Sequence, residues 1–490
     1  MKKTLSMLLA FSMLLGLLTT MGFAAGETYT ITIDNDATGH TYEAYQIFTG
    51  DLHDSTLSNI VWGSGVTEEG KTKLGDAADK AESLTTTNVV AFADEVSVYL
   101  GTSSGRATAP VEGKYTISGL AAGYYLVMDT AVITGHDAKT AFILEIVADT
   151  EVAPKDSVPT VEKKVIDTND TTGETTGWQD SADYDIGDSV PFQLKATLGA
   201  EHFDKYEKYK VVFHDTMSAG LTLNKGEDDI ANEADFIVKI DDGTALAADA
   251  YDVEVSGTNI TITINDVKAQ GSAAGSVITV EYTATLNENA VIGSAGNPNE
   301  VYLEFSNNPN WNGEGTEETG TTPTDKVIVF TYKVVVNKVD SEKQALEGAG
   351  FTLYKKNATG EYAAIGEELK GDTLTTFTWT GLDDGDYKLS ETTTPAGYNT
   401  IPDQEFTVTA DHEILADNPT LTSLSGKATT GEVTFTADLS DGSLTSNVVN
   451  NKGSVLPETG GIGTTIFYVL GGLMAVGAGV LLVAKKRMDA

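Results

Sequence analysis

The sequence predicts a mainly β chain of β-sandwich domains in tandem, and three observations carry that prediction. Short runs alternating apolar and polar residues recur along most of its 490 residues, separated by turns rich in Gly, Asp and Asn. Helical spacing is confined to 68–100 and to one apolar run near the C-terminus. Beyond Pro159 no helical stretch interrupts the strands before that run, which favours sandwiches over a parallel sheet with crossover helices.

Taken in order, Lys2-Lys3, an apolar core from Leu5 to Met21 and the small-residue stretch Gly22–Ala25 read as a secretory signal peptide over 1–25, cut after Ala24 or Ala25. A first domain, 26–155, opens with the alternating strand Tyr29–Asp34 and continues in the strand-like His40–Phe48. Then the period changes. Leu74, Ala77, Ala78, Ala81 and Leu84 recur at helical spacing, and a second helix follows Asn88 as N-cap, with Val89, Phe92 and Val96 on one side. Strands resume at Tyr115–Ile117, Gly123–Met128 and Ala141–Val147, so this domain is mixed, with helices inserted in a β framework.

The second domain, 156–332, is nearly all β, with strands at Ser189–Ala196, Tyr209–Asp215, Ile260–Ile264, Ser276–Ala284 and Val301–Phe305. Residues 307–325, rich in Asn, Gly, Thr and Glu, read as a long loop. Val327–Val339 is apolar enough for the last strand of one domain to run almost directly into the first of the next. The third domain, 333–453, repeats the all-β character at Phe351–Tyr354, Phe377–Trp379, Tyr387–Ser390, Glu405–Val408 and Val433–Thr436. A terminal segment, 454–490, holds Leu456-Pro457-Glu458-Thr459-Gly460, an apolar run from Gly461 to Ala484 long enough to span a bilayer, and the basic trio Lys485-Lys486-Arg487.

Charge and composition narrow the function. A formal net charge of −41 makes polyanionic nucleic acid an unsuitable partner. The chain has no cysteine, although both ends mark it for export, where disulfides are the usual staple. Another device must then supply stability. Six scattered His, no phosphate-binding Gly loop and no His-Glu-x-x-His spacing argue against an enzyme, a cofactor or a metal centre. Asp167 to Gly173 carries loop oxygens but lacks the rest of a calcium loop, and reads as a plain acidic turn.

Pentapeptide, membrane span and basic tail together resemble the sorting signal of Gram-positive cell-wall-anchored proteins. In that family sortase, a cysteine transpeptidase, cuts between Thr and Gly, here Thr459 and Gly460, and passes the Thr carbonyl to an amine. Proline after Leu456 biases the peptide toward an extended form that an enzyme can grip.

A second signature lies in the third domain: Val336–Asp340, Leu346–Tyr354 and Tyr387–Tyr398, the last ending Thr394-Pro395-Ala396-Gly397-Tyr398. It resembles the immunoglobulin-like B-type repeat of Gram-positive surface proteins. There a first-strand Lys attacks the side-chain amide of a last-strand Asn, a buried carboxylic acid assists, and ammonia leaves an isopeptide bond. The resemblance assigns Lys338, Glu391 and Asn450, and Asn450 shares strand parity with Leu444 and Val448, so it can face inward. Burial suits the chemistry, because it favours a neutral nucleophilic amine and a protonated acid. The middle domain resembles the A-type counterpart of pilus shaft proteins through Pro159–Val165, Phe213–Thr222 and Gly296–Pro309. Here Asp215 is the acid. Parity favours Lys163 over Lys164 and lines Asn299 up with Val301, Leu303 and Phe305, while Asn297, on the same parity but before a Pro, is the runner-up. The opening strand of the first domain has no Lys, so no equivalent crosslink is expected there.

Lys155 stands at the junction of the first two domains. In shaft pilins this place carries Tyr-Pro-Lys-Asn, whose Lys receives the Thr carbonyl of the next subunit. Pro154-Lys155 matches, while Ala153 and Asp156 depart from the pattern. The resemblance implies a sortase-assembled pilin of the shaft, with sortase, further copies of itself, peptidoglycan and minor pilins as partners and an unidentified host ligand. The rival reading is a singly displayed wall-anchored adhesin.

Overall fold

The computed structural model describes residues 27–85, 88–133, 135, 137–153, 157–200, 203–226, 230–309, 317–453 and 462–488. The signal peptide, the junction 154–156 with Lys155, and the sorting pentapeptide Leu456, Pro457, Glu458, Thr459 and Gly460 lie outside the described residues.

Strand alternation builds two sheets in the first domain. Tyr29–Asp34 pairs antiparallel with Lys114–Leu120 and parallel with Thr150–Val152. A second sheet runs Thr56–Trp62, Tyr42–His53, Gly123–Asp129, Ala141–Ile146. The inserted helical stretch is three short helices, Glu68–Leu74, Ala77–Ser83 and Val89–Ser97, rather than two. The break falls where Gly75 takes a φ of 91°, open to glycine but costly for other residues, and Asp76 then caps the next helix by accepting from the Ala78 and Asp79 N–H groups. Asn88 precedes the third helix as expected, yet its side chain accepts from Thr85 N–H and donates to Ser83 O instead of capping. Phe92 on that helix stacks on Phe48 of the sheet, which fastens the helices to the β framework.

The middle domain is a sandwich. One sheet runs Leu221–Leu223, Val277–Leu286, Ser189–Thr197, Thr160–Val165. The facing sheet runs Ser181–Asp183, Asp325–Phe330, Asn297–Ser306, Val211–Met217, Asn259–Ile264, Asp252–Ser256. Inward positions alternate along each strand, as in Val277–Leu286, where Ile278, Val280, Tyr282, Ala284 and Leu286 are buried. Among its described residues the 307–325 segment adds a short strand, Thr319–Thr321, to Asn297–Ser306.

Only Thr331 separates the strands Asp325–Phe330 and Tyr332–Asp340. Tyr332–Asp340 opens the third sandwich and pairs parallel with the last strand, Ser443–Asn450, with Lys338 opposite Val448 and Asp340 opposite Asn450. The opposing sheet runs Tyr362–Ala364, Gly350–Lys356, Gly385–Thr393, Gln404–His412, Leu421–Thr430. Its long hairpin reaches back to the middle domain, where Ile414 O accepts from Asp180 N–H and Glu413 O accepts from Ser181 Oγ. The C-terminal helix, Ile462–Met488, is long and apolar enough over Ile466–Met488 to cross a membrane, and its last turn holds Lys485, Lys486 and Arg487.

Candidate functional site

Two buried Lys–acid–Asn sets form, one in each sandwich, and in both the side chains come from strands far apart in sequence. In the third domain Lys338 and Asn450 are 0% exposed on neighbouring parallel strands, and Glu391 faces them from the opposing sheet. Lys338 Nζ donates to Asn450 Oδ1 and lies 3.1 Å from Glu391 Oε1. Asn450 Nδ2 donates to both Glu391 oxygens, at 2.8 and 3.1 Å. Glu391 Oε2 also accepts from Ile401 N–H at 3.0 Å, which fixes the carboxyl. The Lys338 ammonium position sits 5.3 Å above the Phe351 ring. Burial in this apolar setting lowers the Lys338 pKa, and the Glu391 charge offsets only part of that.

The middle-domain set uses the same residue types in a different arrangement, with one addition. Lys163, Asp215 and Asn299 are buried, at 0–1% exposure, with Lys163 on one sheet and the other two on the facing sheet. Lys163 Nζ bonds Asp215 Oδ2. Its backbone N–H is held by Asp325 Oδ2 at 2.6 Å. Asp215 does not reach Asn299 directly in any bond; a tyrosine spans the distance. Tyr282 OH donates to Asp215 Oδ2 at 2.9 Å and accepts from Lys163 Nζ at 3.1 Å and from Asn299 Nδ2 at 2.8 Å. Burial pushes the Lys163 pKa down and the Asp215 pKa up, so the pair shifts toward a free amine beside a protonated acid.

The alternatives left open by parity now separate by position. Lys164 points away from the core and pairs with Asp180. Asn297 is buried but engaged with backbone: its Oδ1 accepts from Val291 N–H at 2.8 Å and its Nδ2 donates to Val291 O and Val329 O, each at 3.1 Å. Tyr282 was missed by sequence reasoning. Its signal was present, since it shares parity with Val280 and Ala284 and so turns a hydroxyl into the core.

The 167–173 turn is more than a solvated acidic turn. Asp170 shares a cluster with Asp185, Asp188 and Asp383, and Asp167 one with Asp183 and His412, each with oxygens or nitrogens within 4.8 Å. Lys355, buried between the middle and third domains, answers the first cluster by bonding Asp383, Asp185 at 2.7 Å and Asp170 at 2.9 Å. Contacts between positions more than 150 apart could not be read from local composition.

This arrangement can perform one reaction. In it a neutral Lys amine would attack the Asn Cγ, the Cγ–Nδ2 bond would break, ammonia would depart, and a Cγ–Nζ amide would remain. In the third domain, where Lys338 Nζ and Asn450 Oδ1 already touch, such positioning can remove on the order of 7–11 kcal/mol that a bimolecular encounter would cost.

Comparison with known proteins gives these sets their context. Three family models match in tandem: "Gram-positive pilin backbone subunit 2, Cna-B-like domain" over 186–309, a prealbumin-like fold domain over 332–420, and the LPXTG cell wall anchor motif over 448–489. The middle-domain model thus carries a B-type description where its motifs had suggested the A-type. The trypsin-resistant surface T6 protein of Streptococcus pyogenes serotype M6 is 25% identical, aligning over 96% of this chain and 97% of its own. The solved T6 backbone pilin of the same organism shares the fold at a TM-score of 0.57, with 17% identity over 88% of this chain and 100% of that one. The full-length major pilin SpaD of Corynebacterium diphtheriae aligns at a TM-score of 0.47, with 17% identity over 87% of this chain and 98% of that one. The three tandem matches, the near full-length relative and the shared fold make the chain similar, over almost its whole length, to the LPXTG-anchored backbone pilins of Gram-positive bacteria, structural subunits of a cell-wall-anchored pilus.

Proposed function

We propose that this subunit polymerises through Thr459, whose carbonyl sortase transfers to the Lys155 amine of the next copy, and that two internal Lys–Asn isopeptide bonds stiffen each link. The chain's role in this reading is structural. It is the substrate of sortase, and its only chemistry is the self-crosslinking of Lys163 with Asn299 and of Lys338 with Asn450, assisted by Asp215 and Glu391. Further copies, peptidoglycan at the base and minor pilins are the partners that follow.

One observation carries the proposal: a sorting signal shares the chain with two buried sets in which a Lys Nζ, an acid and an Asn amide are linked by hydrogen bonds. Buried Lys and Asn would ordinarily be a liability in a core. Conversion to an amide removes the charge and joins the ends of each domain, which suits a cysteine-free shaft under tension. A position between two domains also leaves Lys155 within reach of an external transpeptidase.

Mass spectrometry of native surface material tests the polymerisation, with a Thr459–Lys155 linked peptide as the expected product. Lys155→Ala should abolish the high-molecular-weight ladder. An unchanged ladder would remove Lys155 from the mechanism, and monomers on the wall of the wild type would favour the singly displayed adhesin.

A further inference from the structure

We infer that Tyr282 is a catalytic residue of the middle-domain crosslinking reaction, relaying a proton between Asp215 and the departing amide nitrogen of Asn299. The inference rests on the reading that Lys163 and Asn299 become crosslinked.

The comparison between the two sandwiches carries the argument. Glu391 alone touches both reacting partners in the third domain, bonding Asn450 Nδ2 and lying 3.1 Å from Lys338 Nζ. In the middle domain the acid is an aspartate, one methylene shorter, and it bonds Lys163 Nζ but makes no hydrogen bond to Asn299. The Tyr282 hydroxyl lies between them and uses its whole bonding capacity there: one donated bond to Asp215 and two accepted bonds, from Lys163 Nζ and Asn299 Nδ2. It therefore touches the nucleophile, the leaving group and the acid at once. Its ring is fixed by Phe192, at 5.5 Å between centroids, and by Phe236, at 5.6 Å, so the hydroxyl cannot swing away.

The step balances without any further reactant. Lys163 starts as the neutral amine and Asp215 as the acid, the state that burial favours for both. Nζ attacks Cγ of Asn299 and, as the bond forms, gives up a proton to the Asp215–Tyr282 pair. Asp215 passes a proton to the Tyr282 oxygen while Tyr282 gives its own to Nδ2. The Cγ–Nδ2 bond breaks and ammonia leaves, with Asp215 and Tyr282 restored. Burial keeps the phenol pKa well above its usual value, so Tyr282 holds its proton between transfers rather than resting as phenolate. Asn299 Oδ1 and Asp215 Oδ1 are both buried without a hydrogen-bond partner, a cost carried by the unreacted state.

The test follows crosslinking in the full chain by cell-free synthesis, acid quench and intact mass at timed intervals, with linked peptides mapped after digestion. Wild type should lose two ammonias. Tyr282→Phe should slow the Lys163–Asn299 reaction by roughly 10²-fold or more, the range lost with a general acid–base group. It should leave the Lys338–Asn450 reaction at its wild-type rate, which also reports that the chain has folded. Asp215→Glu placed in the Tyr282→Phe background lengthens the acid to the reach of Glu391 and should restore much of the rate. Equal rates for wild type and Tyr282→Phe would overturn the role of Tyr282, as would a double variant no faster than Tyr282→Phe. A wild type that never links Lys163 to Asn299 would instead overturn the crosslink reading on which the inference rests.

Discussion

Replacing Lys338 with Met isolates what the third-domain crosslink contributes. Methionine is similar in length and carries no charge, so the buried site is left with Asn450 and Glu391 still bonded to each other and Glu391 still held by Ile401 N–H. In the crosslinked wild type the Lys338 nitrogen is a neutral amide, so no ion pair is lost with it, and the loss of stability comes mainly from the missing covalent link. That link would join positions 112 apart. Chain entropy values closure of a loop of that length at about 5 kcal/mol. At roughly 4 °C per kcal/mol for a domain of this size, the third-domain transition should fall by about 20 °C. Differential scanning calorimetry reads the transition, with the middle domain as internal reference, and intact mass reports the loss of one ammonia signature. A shift below about 5 °C, in a protein whose wild type is shown by mass to be crosslinked, would refute the loop-closure reasoning.

The remaining expectations concern the middle domain, the first domain and the assembled fibre. Asn299→Ala should restore the ammonia mass of the middle domain. Asn297→Ala should leave that crosslink intact yet cost about 2–4 kcal/mol of stability through three lost backbone bonds, and crosslink loss in Asn297→Ala instead would reverse the assignment. His40 is buried between Asp129 and Asp137; burial alone would lower its pKa, but hydrogen bonds to the two carboxylates outweigh that and raise it to about 9. Because the folded value lies above the unfolded one, its contribution is complete below about pH 6.5 and fades as pH rises toward 9. The first-domain melting temperature should therefore drop over that window in wild type and not in His40→Gln; parallel profiles would remove His40 as the cause. Finally, force applied between Lys155 and Thr459 should pass through both crosslinks and extend only 155–163, 299–338 and 450–459. At ~3.4 Å per residue these segments yield roughly 200 Å, and force spectroscopy showing much longer releases would exclude shielding by the crosslinks.

Much of the molecule was legible because its signals are local. Alternation of period two marks most strands; side-chain parity pointed to Lys163, Asn299 and Asn450 as inward-facing and the motif resemblance to Lys338, and each of the four is buried. The sorting segment is read from chemistry within 35 residues of the C-terminus, and the helix over Ile462–Met488 follows from that composition. Errors arose where a local signal competed with a neighbour. The 68–84 stretch has the periodicity of one helix, yet Gly75 and Asp76 end one and start another. Asn88 has the chemistry of an N-cap, but bonds to Thr85 and Ser83 take its side chain first.

Composition, periodicity and short motifs were enough to establish export, anchoring, the β architecture and the residue types able to crosslink, because each depends on neighbours along the chain. Packing of the two sheets settled the rest. It set Asn297 against backbone groups and Asn299 against Tyr282, turned Lys164 outward to Asp180, and placed Lys355 among carboxylates of two domains. Parity names the face on which a side chain lies, but the group waiting across the core comes from a strand of unrelated sequence position. An aspartate one methylene short of its partner, and the tyrosine hydroxyl that spans the gap, exist as a relationship only after the sandwich has closed.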